Sequence, residues 1–223
     1  MSSLALPLID LGPLCDSDSL PDTLAALAES LSTAFSTTGF AYLVNAPISF
    51  SHDEIFALAK DFFTLKEKEK LSVAKRTFNP DNDNTYRGFF PAQAGSDNLK
   101  EGFEIGPKQS LPQIYDPRAK FNLTEANAWP ESFQSRDRVE KLYDEMQSLS
   151  AKLLSLLAVA LGKDASYFDS YLENSMSTLR LLHYPAINSP SPQQELCCTP
   201  HTDSGILTLL HQDKVRVFDR TDA

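Results

Sequence analysis

The stretch Leu196-Cys-Cys-Thr-Pro-His-Thr-Asp-Ser-Gly-Ile-Leu-Thr-Leu-Leu-His211 places an imidazole and a carboxylate two residues apart beside an apolar run. The run from Ile206 to Leu210 is typical of a buried strand. Because successive strand side chains alternate between faces, His201 and Asp203 are expected to point the same way. The stretch therefore predicts two metal ligands at a strand edge, anchored to a rigid sheet.

An imidazole and a carboxylate are two of the three ligands in the facial triad of non-haem Fe(II) sites. That triad leaves the remaining metal positions open for other ligands. Pro200 fixes the approach of the chain, and Gly205 permits close packing beside the pair. The alternative is a turn in which Asp203 caps a backbone amide and His201 lies at the surface.

A second His-x-Asp, His211-Gln-Asp213, follows ten residues later and permits a rival scheme in which two pairs hold one or two metals. The favoured interpretation makes His211 the polar end of the same strand. His52, within a helix cap, and His183, within a strand, are expected to be structural.

Two further polar groups are candidates for ligand contacts. Tyr184 closes a predicted strand, and its phenol can donate a hydrogen bond to the carboxylate of a bound co-substrate; the alternative is a packed aromatic at a strand end. Arg87 is a candidate for an anionic substrate, although a loop arginine more commonly pairs with a neighbouring acid. Cys197 and Cys198 are interpreted as small packing residues.

Composition excludes several classes of protein. The chain has 223 residues, 42% of them apolar and 10% aromatic, as in a globular protein with a sizeable core. Its net charge of -10, with no basic run, would repel a nucleic-acid backbone, so no nucleic-acid partner is expected. No segment approaches a membrane span. Three cysteines without Cys-x-x-Cys spacing favour a reduced compartment, and the cytoplasm is expected.

Hydrophobic periodicity predicts helices and strands in succession, with polar loops around short strands over 79–117. The predicted elements are a short strand over 4–9, a helix ending at Gly39, a buried strand over 40–44, a capping box at Ser51-His-Asp-Glu54, a solvated charge run over 66–70, a long helix with Pro130 in its first turn, and a strand over 177–184.

Several motifs, in order along nearly the whole chain, resemble the isopenicillin N synthase-like branch of the Fe(II)/2-oxoglutarate-dependent dioxygenases. Such a series is far more specific than a bare His-x-Asp. The motifs are Leu6-Pro-Leu-Ile-Asp-Leu11, Thr38-Gly-Phe-Ala-Tyr-Leu-Val-Asn45, Asp61-Phe-Phe-Thr-Leu65, Tyr86-Arg-Gly-Phe89, Lys100-Glu-Gly-Phe-Glu-Ile-Gly106, the strand from Leu179 to Pro185, and Pro200-His-Thr-Asp-Ser-Gly205.

The resemblance implies an α+β fold in which N-terminal helices wrap a double-stranded β-helix, a jelly-roll of cupin type. It divides the chain into an N-terminal helix and strand region (1–120), a long supporting helix (121–175) and the first barrel strands with the metal motif (176–223). The family's distal ligand histidine and its Arg-x-Ser have no match here. A C-terminally truncated chain with an incomplete barrel is therefore expected.

The same resemblance implies an enzyme, a dioxygenase that uses Fe(II), 2-oxoglutarate and O2 to oxidise a small organic molecule. Hydroxylation is the default outcome, with desaturation or cyclisation as variants. By this likeness His201 and Asp203 are iron ligands, Tyr184 contacts 2-oxoglutarate, and no catalytic residue is needed beyond the metal ligands. The full-length protein is expected to be a monomer. The alternatives are an inactive truncated family member and a metal-dependent hydrolase that uses both His-x-Asp pairs.

Overall fold

The computed structural model describes residues 6–16, 18, 20–93, 99–108, 122–185 and 205–213. The chain forms two compact units, Met1–Ser49 with Lys141–Ser175, and Phe50–Glu140 with Met176–Ala223. In chain order the elements are β1 (Leu8–Asp10), a 3-10 turn (Gly12–Leu14), α1 (Pro21–Thr37), β2 (Tyr42–Val44), α2 (His52–Phe63), α3 (Glu67–Leu71), β3 (Gly88–Phe90), β4 (Glu101–Ile105), α4 (Arg136–Ala160), α5 (Asp169–Leu172) and β5 (Leu179–His183).

The first unit contains the parallel pair β1 and β2, in which Ile9 lies opposite Leu43. Helix α1 begins with Pro21 at its first position, where the missing N–H costs nothing. Gly39 follows the helix with a φ of 76°, a left-handed conformation that suits glycine. The buried side of α1 follows the predicted three-four spacing and consists of Leu27, Ala28, Leu31 and Ala34.

A strand forms within the segment 40–44, but the prediction that this strand is buried was wrong. The strand covers only Tyr42–Val44. Phe40 is 69% exposed and Tyr42 is 63% exposed. Within the described residues β2 has one strand neighbour, β1, and no described element covers these two outward-pointing rings.

The second unit contains an antiparallel sheet with the strand order β3-β4-β5. Helix α2 begins with the predicted capping box, because the Ser51 hydroxyl accepts from the Glu54 backbone N–H and the Glu54 carboxylate accepts from the Ser51 N–H. The helix places Phe62 against the sheet, with its ring stacked on Phe103 at a centroid distance of 4.0 Å. Phe89 and Phe133 complete this fully or nearly fully buried aromatic cluster.

The long helix α4 begins at Arg136, six residues after the proline predicted to start it. Pro130 instead opens a turn in which its carbonyl accepts from the Phe133 N–H at 3.1 Å. That turn directs the buried Phe133 ring into the aromatic cluster, so tertiary packing overrides the favourable N1 chemistry of proline. Over the described residues, no helix is both long and apolar enough to cross a bilayer.

The predicted strand over Ile206–Leu210 was also wrong. The described residues 205–213 have no strand structure. Ile206 is 71% exposed and Leu210 is 77% exposed. A β-strand needs a hydrogen-bonded neighbour, and no described strand pairs with this segment, so its apolar composition alone does not make it one.

Leu58→Ala is expected to lower the free energy of unfolding by about 2–5 kcal/mol, because it opens a cavity at a fully buried position of α2. Leu210→Ala removes the same atoms from an exposed site and should change that free energy by less than about 0.5 kcal/mol. Urea titration followed by circular dichroism measures both. Equal losses in the two variants would contradict the assignment of the core.

Candidate active-site face of the three-stranded sheet

Strand β4 divides its side chains between two faces of the sheet. In the register, Glu104 lies opposite Arg180, and Gly102 lies opposite both Leu182 and Phe90. Directly opposed residues share a face, so these five residues form one face, called here the open face. Glycine is required at 102, because a side-chain carbon there would collide with the Phe90 ring.

The open face carries a buried carboxylate between two cations. The Glu104 side chain is 1% exposed, and its two oxygens form ion pairs with Lys75 and Arg180. The Lys75 ammonium also lies over the Phe90 ring, 5.1 Å from its centroid. The Arg180 side chain is 45% exposed, so it carries the most accessible charge of the three.

The opposite, core face carries a second carboxylate between two basic groups. Glu101 accepts a hydrogen bond from the Lys70 ammonium at 2.9 Å, and its other oxygen lies 2.8 Å from Nδ1 of His183. The strand role expected for His183 agrees with this position. Lys70 belongs to the charge run that was predicted to be solvated, and that prediction was wrong for this residue, which is 7% exposed.

The ion pairs of Lys70 alter its titration. Burial by itself lowers the pKa of Lys70, but the hydrogen bonds and charges of Glu101 and Glu67 outweigh it and raise that pKa above its usual value. The ammonium therefore stays charged where the sheet covers it, and Glu101 stays compensated.

Glu125 organises the loop that precedes β3. Its carboxylate accepts hydrogen bonds from the backbone N–H groups of Thr85, Tyr86 and Arg87 at 2.9, 2.8 and 2.5 Å. The Arg87 guanidinium packs against Gly106, where a side chain would collide with it, and donates to the Leu123 carbonyl at 3.0 Å. Arg87 is 1% exposed, which disfavours the less common of its two predicted roles, that of a receptor for an anionic substrate.

The predicted metal ligands His201 and Asp203 lie outside the described residues, as do Cys197 and Cys198. Tyr184 is described; it directly follows β5 and is partly buried. Strand alternation assigns it to the side of Arg180 and Leu182, the open face.

The rival pair His211 and Asp213 is described and exposed at the surface. His52 Nε2 lies 3.1 Å from the neighbouring Gln212 carbonyl oxygen. Across the part of the chain that the structure describes, no group of three His, Cys, Asp or Glu side chains could hold a metal ion.

Sequence comparisons identify relatives along almost the whole chain. A family model described as "non-haem dioxygenase in morphine synthesis N-terminal" matches residues 6–132. The 2-oxoglutarate-dependent dioxygenase citB of Monascus ruber is 33% identical over 228 residues, which cover 95% of this chain and 66% of citB. Isopenicillin N synthase of Streptomyces griseus is 28% identical, with the same coverages of 95% and 66%.

Two solved structures are similar to this chain. A full-length Neurospora crassa protein in complex with alpha-KG superposes with a TM-score of 0.64 at 29% identity, covering 85% of this chain and 54% of that one. A putative 2OG-Fe(II) oxygenase family protein from Caulobacter crescentus has a TM-score of 0.64 at 23% identity, covering 86% and 60%, and this likeness shows the fold alone.

The chain therefore belongs to the non-haem dioxygenase family. The particular branch that its motifs resemble, the 2-oxoglutarate-dependent dioxygenases and isopenicillin N synthases, is confirmed by these relatives. The chain spans 66% of the length of the curated relatives named here. An α+β architecture is confirmed, while the described strands form two separate sheets and not a closed barrel.

Glu101→Gln is expected to destabilise the protein by about 3 kcal/mol at neutral pH, because it leaves the buried Lys70 ammonium without its most buried partner. Glu67→Gln is a matched control. It removes a second carboxylate 3.2 Å from the same ammonium, but that side chain is 62% exposed, so the loss should be below about 1 kcal/mol.

The pH dependence of this difference follows from the raised pKa of Lys70. A raised folded-state pKa gives stability that is complete below the unfolded value, 10.5, and is lost as the pH rises through the folded value. The difference in unfolding free energy between wild type and Glu101→Gln should therefore decrease as the pH rises above 10.5. Unfolding titrations across this range measure it, and a constant difference would contradict the role given to Lys70.

Proposed function

We propose that this chain contributes most of an Fe(II)- and 2-oxoglutarate-dependent oxidoreductase that acts on a small organic molecule, with hydroxylation as its default reaction. The observation that carries the proposal is the open face, a sheet surface with a paired charge cluster, bordered by Tyr184. The sequence then runs from this strand end to His201 and Asp203. Family membership supports the class of chemistry.

His201 and Asp203 are the residues proposed to hold the iron. Their imidazole and carboxylate donors are the types that suit a non-haem Fe(II) triad, and no competing cluster exists among the described side chains. A third histidine and the arginine for the co-substrate carboxylate would come from the part of the relatives' length that this chain does not span. His201, Asp203 and that histidine would hold an iron ion that supplies oxygen-activating chemistry, in which 2-oxoglutarate would be oxidatively decarboxylated to succinate and carbon dioxide.

The residues of the chain itself would bind, orient and shield the ligands. Tyr184 is proposed to donate its phenol hydrogen bond to a carboxylate of 2-oxoglutarate. The partly buried side chains of Leu182 and Phe90 give the open face an apolar surface that excludes water beside that carboxylate. Orientation and water exclusion are the protein's share of such catalysis, since the bound group supplies the reactive chemistry.

The architecture proposed for the whole protein is a double-stranded β-helix in which β3, β4 and β5 belong to the barrel. Residues 1–120, 121–175 and 176–223 would form its N-terminal region, supporting helix and first metal-bearing strands. We further propose that the protein is a monomer and lies in the cytoplasm. The cytoplasmic location is supported by cysteines that lack the spacing of disulfide or zinc motifs.

Tyr184→Phe is expected to weaken 2-oxoglutarate binding about 10–100-fold in the full-length protein, because a hydrogen bond to a charged group contributes about 1.5–3 kcal/mol. Tyr171→Phe is the control. It removes the same hydroxyl from a residue that is 67% exposed, and this variant should bind 2-oxoglutarate as wild type does. Isothermal calorimetry with 2-oxoglutarate under anaerobic Fe(II) measures both. An unchanged affinity in Tyr184→Phe would remove Tyr184 from the site.

His201→Ala is expected to abolish substrate-dependent succinate formation and oxygen uptake in the full-length protein, because it removes one of the proposed iron ligands. His211→Ala, which removes the nearby surface imidazole, should leave both rates within about twofold, as expected of a residue that does not hold the metal. An equal loss in His211→Ala would contradict this assignment. The hydrolase alternative, which uses both His-x-Asp pairs, instead predicts no succinate formation or oxygen uptake in the wild type and an activity that both variants lose.

A further inference from the structure

We infer that Arg180 determines substrate specificity by binding a carboxylate of the small molecule that occupies the open face. This inference rests on the proposed function, since it requires the open face to line the active site. The charge balance, the exposure and the register of the side chains on that face support it.

The charge cluster on the open face has one cation more than its carboxylate needs. Glu104 is paired with both Lys75 and Arg180, so the three side chains carry a net positive charge. Their side chains are 1%, 16% and 45% exposed for Glu104, Lys75 and Arg180. A ligand that approaches this face therefore meets the guanidinium and not the carboxylate.

A purely structural role explains only part of this arrangement. A buried carboxylate must be compensated, and the nearly buried Lys75 supplies one full charge at Glu104. A second, half-exposed cation adds little stability to such a pair. Nη2 of Arg180 contacts Glu104, and among the described residues this is its one ion pair. The planar guanidinium thus keeps N–H groups for a further carboxylate, which it can bind through two parallel hydrogen bonds.

The register separates this contact from the one proposed for 2-oxoglutarate. Arg180 and Tyr184 are four residues apart along an extended segment, which places their Cα atoms about 13 Å apart. Because Nη2 of Arg180 is held by Glu104, directly opposite it on β4, the guanidinium is directed across the sheet and not along β5 toward Tyr184, so the two residues are expected to hold different molecules. Leu182 lies between them, with Phe90 beside it across Gly102. A ligand with its carboxylate at Arg180 would therefore rest its apolar body on Leu182 and Phe90, with its other end toward Tyr184.

The test uses the 223-residue chain without metal and the isosteric probes benzoate and benzamide, followed by the amide and arginine Nε–H signals in NMR titrations. Benzoate is expected to shift the signals of Arg180 and Leu182, and benzamide to bind at least about tenfold more weakly, because it lacks the charge. Arg180→Gln should weaken benzoate binding by at least about tenfold. The matched control is Arg76→Gln. Arg76 is also about half exposed, at 53%, but its partner is Asp83, at 2.8 Å, and not Glu104, so this variant should bind benzoate as wild type does.

Arg180→Lys keeps a cation beside Glu104 but loses the planar fork, so it guards against a folding defect in the glutamine variant. It is expected to fold with an unchanged amide spectrum outside β5 and to bind benzoate several-fold more weakly than wild type. Wild-type affinity in Arg180→Lys and Arg180→Gln, equal binding of benzamide and benzoate, or no benzoate binding to the wild-type chain would each overturn the inference.

One further outcome separates this inference from the proposed function. If 2-oxoglutarate displaces benzoate competitively and shifts the Arg180 Nε–H signal itself, Arg180 belongs to the co-substrate, and the inference fails while the proposed function stands. If benzoate binds as expected but the full-length protein forms no succinate, the carboxylate site stands and the oxygenase proposal fails.

Discussion

Strand β4 is buried along its whole length and yet carries two carboxylates, one on each face. A buried carboxylate is tolerated only when a cation or several hydrogen bonds compensate it. This requirement constrains the second unit, because Glu101 must meet Lys70 and His183, and Glu104 must meet Lys75 and Arg180. Helix α3, the segment after it and strand β5 are therefore tied electrostatically to one central strand.

The two faces of β4 then acquire different roles. The core face is sealed by the aromatic cluster around Phe62 and Phe103, so its ion pair lies under a helix, although the side chain of His183 remains half-exposed. On the open face Leu182 and Phe90 are partly buried, and the charge cluster ends in a half-exposed guanidinium. Each carboxylate thus has one largely buried ammonium and one half-exposed basic partner, His183 on the core face and Arg180 on the open face, and of these two partners the guanidinium is the one that is always charged.

The differences between expectation and structure have a common physical origin. Pro130 has good chemistry for starting a helix, but the buried Phe133 ring requires a turn there. The apolar run Ile206–Leu210 has strand composition, but no described strand edge pairs with it. Lys70 lies in a run of alternating charges that is typical of a solvated surface, yet its partner Glu101 is 31 residues away. Local pattern assigns a tendency to each segment, and distant partners decide the outcome.

By itself the sequence determined the family, the capping box of α2, the end of α1 before Gly39 and the position of β5 within two residues. These features depend on neighbouring side chains and ordered motifs. Only the tertiary structure decided that Glu125 holds the loop at Thr85, that Arg87 is buried and that Glu104 faces Arg180. Glu125 lies 38–40 residues from the loop that it holds. Glu104 and Arg180 lie in separate strands. No periodicity connects such residues; the register of the sheet does, since it decides which charges must share one face.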